Sequence, residues 1–187
     1  KNSMGRPIAI SFATAFIDLT TETLGGFYYH HTAFITAIFL FILLCNCIGI
    51  IPWTDEPTRD LNTTVALGLI AFLYKEFYAI KAHGILGYLN EFTHPFTVML
   101  PLNIIGHLSK VVSLSFRLFG NIFGGAIIST IYKGVISLSL ISQILGLITG
   151  LNLIVTLFFG IFEGVIQAFV FSMLTLTYLS IATQTDH

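Results

Sequence analysis

TAFITAIFLFILLCNCIGII, Thr32–Ile51, holds no charged side chain. Twenty helical residues rise about 30 Å, the thickness of a bilayer's hydrocarbon core. Pro52 and Trp53 follow, a helix stop and an aromatic suited to the membrane interface. The whole chain shares this character. Of its 187 residues, 55% are hydrophobic and 9% charged, against about 25% charged in soluble domains. The sequence therefore specifies an all-α integral membrane protein. A net charge of -1 offers no basic patch for nucleic acid. Cys45 and Cys47 point to different faces of this helix, which suits free thiols better than a disulfide or a metal.

Working outward, residues 29–52 form one span. Residues 1–28 are semi-polar, with Asp18 and Glu22 four apart among apolar residues at helical spacing, and predict an amphipathic helix on the membrane surface. The chain starts at Lys1 without an initiator Met or a signal-peptide pattern, so further residues are expected upstream. Downstream comes the acidic loop DEPTRDLN, then a second span over 63–82, with Lys75 and Glu76 near its end. Lys81–Phe96, KAHGILGYLNEFTHPF, reads as a polar connector. Lys1, Arg6, Lys75 and Lys81 gather on one side, so residues 53–62 are expected to face outward. His30, His31, His83 and His94 lie near span ends and are expected to face headgroups or water.

The last two segments are too long to be simple spans. Residues 96–131 would measure about 54 Å as a helix, and 135–182 about 72 Å. Tilt, kinks or a break must absorb the excess. Gly146, Gly150 and Asn152 could break the second, and hydropathy alone would divide it in two.

Each long segment carries one polar stripe. On 96–131, Asn103, Gly106, Lys110, Ser113, Arg117, Gly120, Asn121 and Gly124 fall within about 60° of Arg117. On 135–182, Thr149, Asn152, Thr156, Gly160, Glu163 and Gln167 share an arc. Small and amide residues can serve as helix–helix glue. Glue does not explain Arg117, because an intramembrane arginine is costly and is kept for function. Glu163 is either functional or a counter-ion. Lys110 is expected to snorkel to an interface. His107 is offset from the stripe and carries no assignment.

SLSFRLFGN around Arg117, followed by IQAFVFSMLTLTYLS from Ile166, resembles F-type ATP synthase subunit a, the membrane stator of the Fo sector. DLNTT at Asp60–Thr64 and LPLNIIGHLSK before the arginine add to the likeness, which spans essentially the whole chain. The resemblance implies one more helix upstream. It also implies that 96–131 and 135–182 are unbroken, forming a strongly tilted hairpin facing the rotor beside two roughly upright spans. Expected partners are the c-ring, peripheral-stalk subunit b and membrane lipid. The expected location is a bacterial inner membrane, or an organellar inner or thylakoid membrane. No catalytic residue, cofactor or metal is implied.

By the same resemblance Arg117 is the essential arginine and Asn121 its partner one turn on. Gln167 is the glutamine expected to face the arginine, and Lys110 a basic residue two turns before it. The chain departs from the pattern at Asn103, Ala126 and Gly160, where many members carry titratable groups. Glu163, one turn beyond Gly160 on the same face, is expected to replace one of them. Protons are the expected ion. Loss of those groups leaves Na⁺ as an alternative, since Na⁺ needs oxygen ligands rather than a proton relay. A secondary transporter would show internal repeats with paired broken helices, and none is visible. A structural membrane anchor would not need Arg117.

Overall fold

In the computed structural model, residues 5–48, 57–93, 100–137 and 157–183 are described. They form five α-helices: α1 Gly5–Leu24, α2 Tyr29–Ile48, α3 Leu61–Thr93, α4 Leu100–Ser137 and α5 Glu163–Thr183. A 3-10 turn, Pro57–Arg59, precedes α3, and a π-helical turn, Leu157–Phe162, runs into α5. No strand occurs among the described residues. Four helical stretches are long and apolar enough to cross a membrane: Tyr29–Ile48, Leu61–Leu89, Leu100–Tyr132 and Glu163–Thr183. The chain is an all-α integral membrane protein.

Helix α2 shows why these helices suit lipid. Ile35, Ile38, Phe39 and Ile42 point inward at helical spacing, while Leu40, Phe41 and Leu44 are exposed. A helix apolar all round belongs in a bilayer. The core joins Ile35 and Ile42 of α2, Leu67 and Ala71 of α3, Leu114 and Leu118 of α4, and Phe171 and Leu176 of α5, with Phe16 of α1 against them. Lipid is as apolar as these side chains, so close packing and buried hydrogen bonds must hold the bundle. Two glycines allow that closeness. A Cβ on Gly68 of α3 would lie 2.2 Å from Ser115 Oγ of α4, and one on Gly164 of α5 would lie 2.9 Å from Asn46 Cβ of α2.

Asp60 starts α3, its carboxylate accepting the Asn62 backbone N–H at 3.0 Å, an N-cap bond. The expected polar connector after residue 81 is instead helical, and α3 continues to Thr93. Gly84, at φ 73 and ψ 166, interrupts it with a kink. That backbone region is essentially restricted to glycine. The junction expected at 132–134 is also helical, because α4 runs on to Ser137. The stretch holding Gly146, Gly150 and Asn152 lies outside the described residues, as does His94.

His31 is a further correction. It is buried, with Nδ1 3.0 Å from the Tyr74 hydroxyl and its ring edge-on to Tyr78 at 4.5 Å. Two tyrosines of α3 enclose it, so it does not simply face headgroups. Cys45 and Cys47 are free thiols.

Candidate functional site

Helix α4 buries Val111, Leu114, Ser115 and Leu118 and turns Ser113, Phe116, Arg117 and Gly120 outward. The alternation follows from helical spacing, since Arg117 lies about 100° from both Phe116 and Leu118. Arg117 is exposed and makes no hydrogen bond or ion pair among the described residues. Of the predicted stripe, Gly106, Ser113, Arg117 and Gly120 face outward, while Asn103, Lys110, Asn121 and Gly124 are half-buried.

The stripe of α5 behaves differently. Gln167 is buried at 2% exposure and faces α4, where its Oε1 accepts the Asn121 side-chain N–H at 2.6 Å. Gln167 and Asn121 thus meet across the helix pair, one turn from Arg117. The glutamine bonds the asparagine rather than the arginine expected from the resemblance. Its Nε2 is buried with no partner among the described residues. Thr149, Asn152 and Thr156 lie outside the described residues.

Lys110 does not simply snorkel. Its Nζ sits 5.6 Å from the ring centre of Tyr178 on α5, a cation–π contact. Passing from Asn121 back to Lys110 on α4 matches passing from Gln167 forward to Tyr178 on α5, eleven residues in each case. The two helices are therefore antiparallel. Asn103 is half-buried near the start of α4.

Glu163 is half-buried where the π-helical turn meets α5. Such turns re-aim side chains and are frequent at functional sites. Its neighbour Gly164 is fixed by a buried relay. Thr58 Oγ1 donates to Asn46 Oδ1 at 2.9 Å, and Asn46 Nδ2 donates to the Gly164 carbonyl at 3.1 Å. Glu163 has no polar partner among the described residues.

Another charged group was not assigned from sequence. Lys75 and Glu76, 5% and 8% exposed, lie inside the α3 span. Glu76 Oε1 is 2.5 Å from Lys75 Nζ and 3.0 Å from His107 Nδ1 of α4. Lys75 Nζ is also 3.3 Å from His107 Nδ1. The Tyr88 hydroxyl donates to Glu76 Oε2 at 2.5 Å. Twelve residues of straight helix rise about 18 Å, beyond a tyrosine's reach. The kink at Gly84 makes the Tyr88–Glu76 bond possible. The sequence signal was two adjacent charges within a span, which charge patterning alone assigned to one membrane face.

Along the antiparallel pair the polar groups fall in order: Glu163, then Gln167 with Asn121, then Arg117, then Lys110 with Tyr178, then His107 with Lys75 and Glu76. Arg117 lies between two titratable ends.

The geometry can be set beside known proteins. A sequence model of the family described as ATP synthase A chain matches residues 4–180. The chain is similar to ATP synthase subunit a 2 of Acaryochloris marina, 38% identical over 82% of this chain and 60% of that protein. It is 36% identical to ATP synthase subunit a of Desulforamulus reducens, over 82% of this chain and 58% of that one. The subunit a of Moorella thermoacetica is 36% identical over 90% of this chain and 72% of its own length. The chain spans about 60% of the length of the first two.

Proposed function

Because the chain belongs to the ATP synthase A chain family, we propose that it is the ion-conducting stator subunit of an F-type ATP synthase. It exchanges protons with carboxylates on a rotating c-ring, so that an ion gradient drives ATP synthesis elsewhere in the complex. Subunit b of the peripheral stalk is the second expected partner. The chain itself performs no bond-making chemistry.

One observation carries this role: Arg117 faces outward from a membrane-depth helix without a partner among the described residues. A rotor carboxylate crossing lipid travels neutralised by its ion, because an ionised carboxylate there is costly. Beside a guanidinium the ionised form is favoured, and the ion is released. The guanidinium keeps its charge in proteins, so it also repels an ion seeking a direct path between two half-channels. Such a leak would dissipate about 2.3 kcal/mol per elementary charge for every 100 mV. Asn121 and Gln167 bond each other, which leaves the guanidinium available to the rotor. Glu163 supplies a titratable group on the outer side.

The test is Arg117→Ala in the assembled, reconstituted complex. ATP-driven proton pumping should be lost while assembly persists. Coupled pumping at the normal rate would refute the role. Na⁺ pumping in the unmodified complex would retain the stator role and change the ion.

A further inference from the structure

A stator with two half-channels needs proton-exchanging groups on both sides of its arginine, and Glu163 provides for one. Along α4 in the other direction, about 15 Å from Arg117, lies the cluster of Lys75, Glu76, Tyr88 and His107. On the sequence-based orientation it occupies the end flanked by Lys81, opposite the outer loop. A buried Lys–Glu pair is a weak stability device, because apolar residues of similar volume serve as well. Here four titratable side chains from two helices converge instead of two.

The geometry at His107 Nδ1 suits proton exchange. An Nδ1–H can donate to Glu76 Oε1 at 3.0 Å. An unprotonated Nδ1 can accept from Lys75 Nζ at 3.3 Å. Nδ1 cannot do both, so the arrival or departure of one proton exchanges these bonds without moving a heavy atom. Tyr88 holds the second carboxylate oxygen. Lys110 of α4, beneath Tyr178 of α5, is the next cation toward Arg117. A small cavity of about 20 Å³, its surface almost wholly apolar, separates the cluster from Lys110.

We propose that Glu76 and His107, positioned by Lys75 and Tyr88, form the proton-exchange station of the half-channel on the Lys81 side of Arg117. The assignment rests on the ion-conducting role proposed above. On entry, a proton from water adds to the His107 imidazole and its N–H donates to the Glu76 carboxylate. The proton then leaves Nδ1 toward the Arg117 side of the station, or in the opposite direction of operation toward the Lys81 side, and Lys75 again donates to Nδ1. Each step exchanges one O–H bond of water for one N–H bond of the imidazole, or the reverse.

The experiment uses Glu76→Gln and His107→Gln in the reconstituted complex, with pumping rates normalised to assembled complex. Proton pumping should fall about tenfold or more, as when a proton-transfer group is removed. Its dependence on pH, between about 6 and 9, should flatten. A purely structural cluster would lower the yield of complex but leave rate and pH profile unchanged, and that result would overturn the assignment. If neither variant assembles, histidine ¹⁵N solid-state NMR of the wild-type complex decides. A His107 signal that changes protonation state across that range is expected, and one that stays fixed overturns the proposal. If Glu76→Gln and His107→Gln pump normally while Arg117→Ala is inactive, only this station fails. Normal pumping by Arg117→Ala defeats the conducting role itself.

Discussion

Asn121 donates to Gln167 at 2.6 Å, and Arg117, one turn earlier on the same helix, is left exposed. The amide pair fixes the register of α4 against α5. Gln167→Leu should leave the asparagine N–H without its acceptor, at a cost of about 1–3 kcal/mol. A lower melting temperature in detergent is expected, with partial recovery in the Asn121→Leu/Gln167→Leu double variant. Equal melting of Gln167→Leu and wild type would show that the bond contributes nothing.

Arg117→Lys should not restore function. Lysine can lose its proton when desolvated and lacks the planar fork of guanidinium. Reconstituted vesicles should show lost pumping or a passive proton leak. Tight, fully coupled pumping would contradict the need for a permanent cation.

Glu163→Gln keeps size and hydrogen bonding but cannot titrate. Proton pumping should slow strongly in this variant, and Na⁺ pumping, were Na⁺ the ion, much less. An unchanged proton-pumping rate would remove Glu163 from the path.

Gly84→Ala places a Cβ on backbone at φ 73, which costs about 1–3 kcal/mol. It should also separate Tyr88 from Glu76. The checks are a lower melting temperature and a loss of function resembling that of Tyr88→Phe. A variant as stable and active as wild type would show that the kink is not required.

The two tight glycines should respond differently to alanine. At Gly68 the new methyl meets the Ser115 hydroxyl, whose Oγ has no partner among the described residues and can rotate away. At Gly164 it meets the Asn46 Cβ, which cannot move without shifting α2. Gly164→Ala should therefore destabilise the bundle clearly more than Gly68→Ala in parallel melts. The reverse order would contradict the packing described.

Spans were legible wherever charge-free runs matched the bilayer, as at the described helix Tyr29–Ile48. That Arg117 lies on a different face from Leu114 and Leu118 was legible because helical spacing is fixed, whereas Asn121 of the same arc turns toward α5 and Thr149, Asn152 and Thr156 lie outside the described residues. Partner choice was not: Gln167 lies on the expected arc, yet its acceptor oxygen meets Asn121. The continuation of α3 was obscured because Gly84, Gly87 and the polar side chains around them look like a connector. The bond from His107 to Glu76 joins residues 31 apart in sequence. It depends on how α3 and α4 pack, which no local spacing encodes.

The outward face of α4 also bears on how the protein is made. A lone arginine at the centre of a helix costs about 2.5–3.5 kcal/mol during insertion. A newly synthesised chain without its neighbour presents that cation to lipid, or draws water and headgroups inward to meet it. Its lifetime in the membrane should then follow the supply of the neighbour, with orphaned copies cleared by proteolysis. Were the proposed rotor to cover it on assembly, the same arginine would serve newborn chains as a quality-control mark.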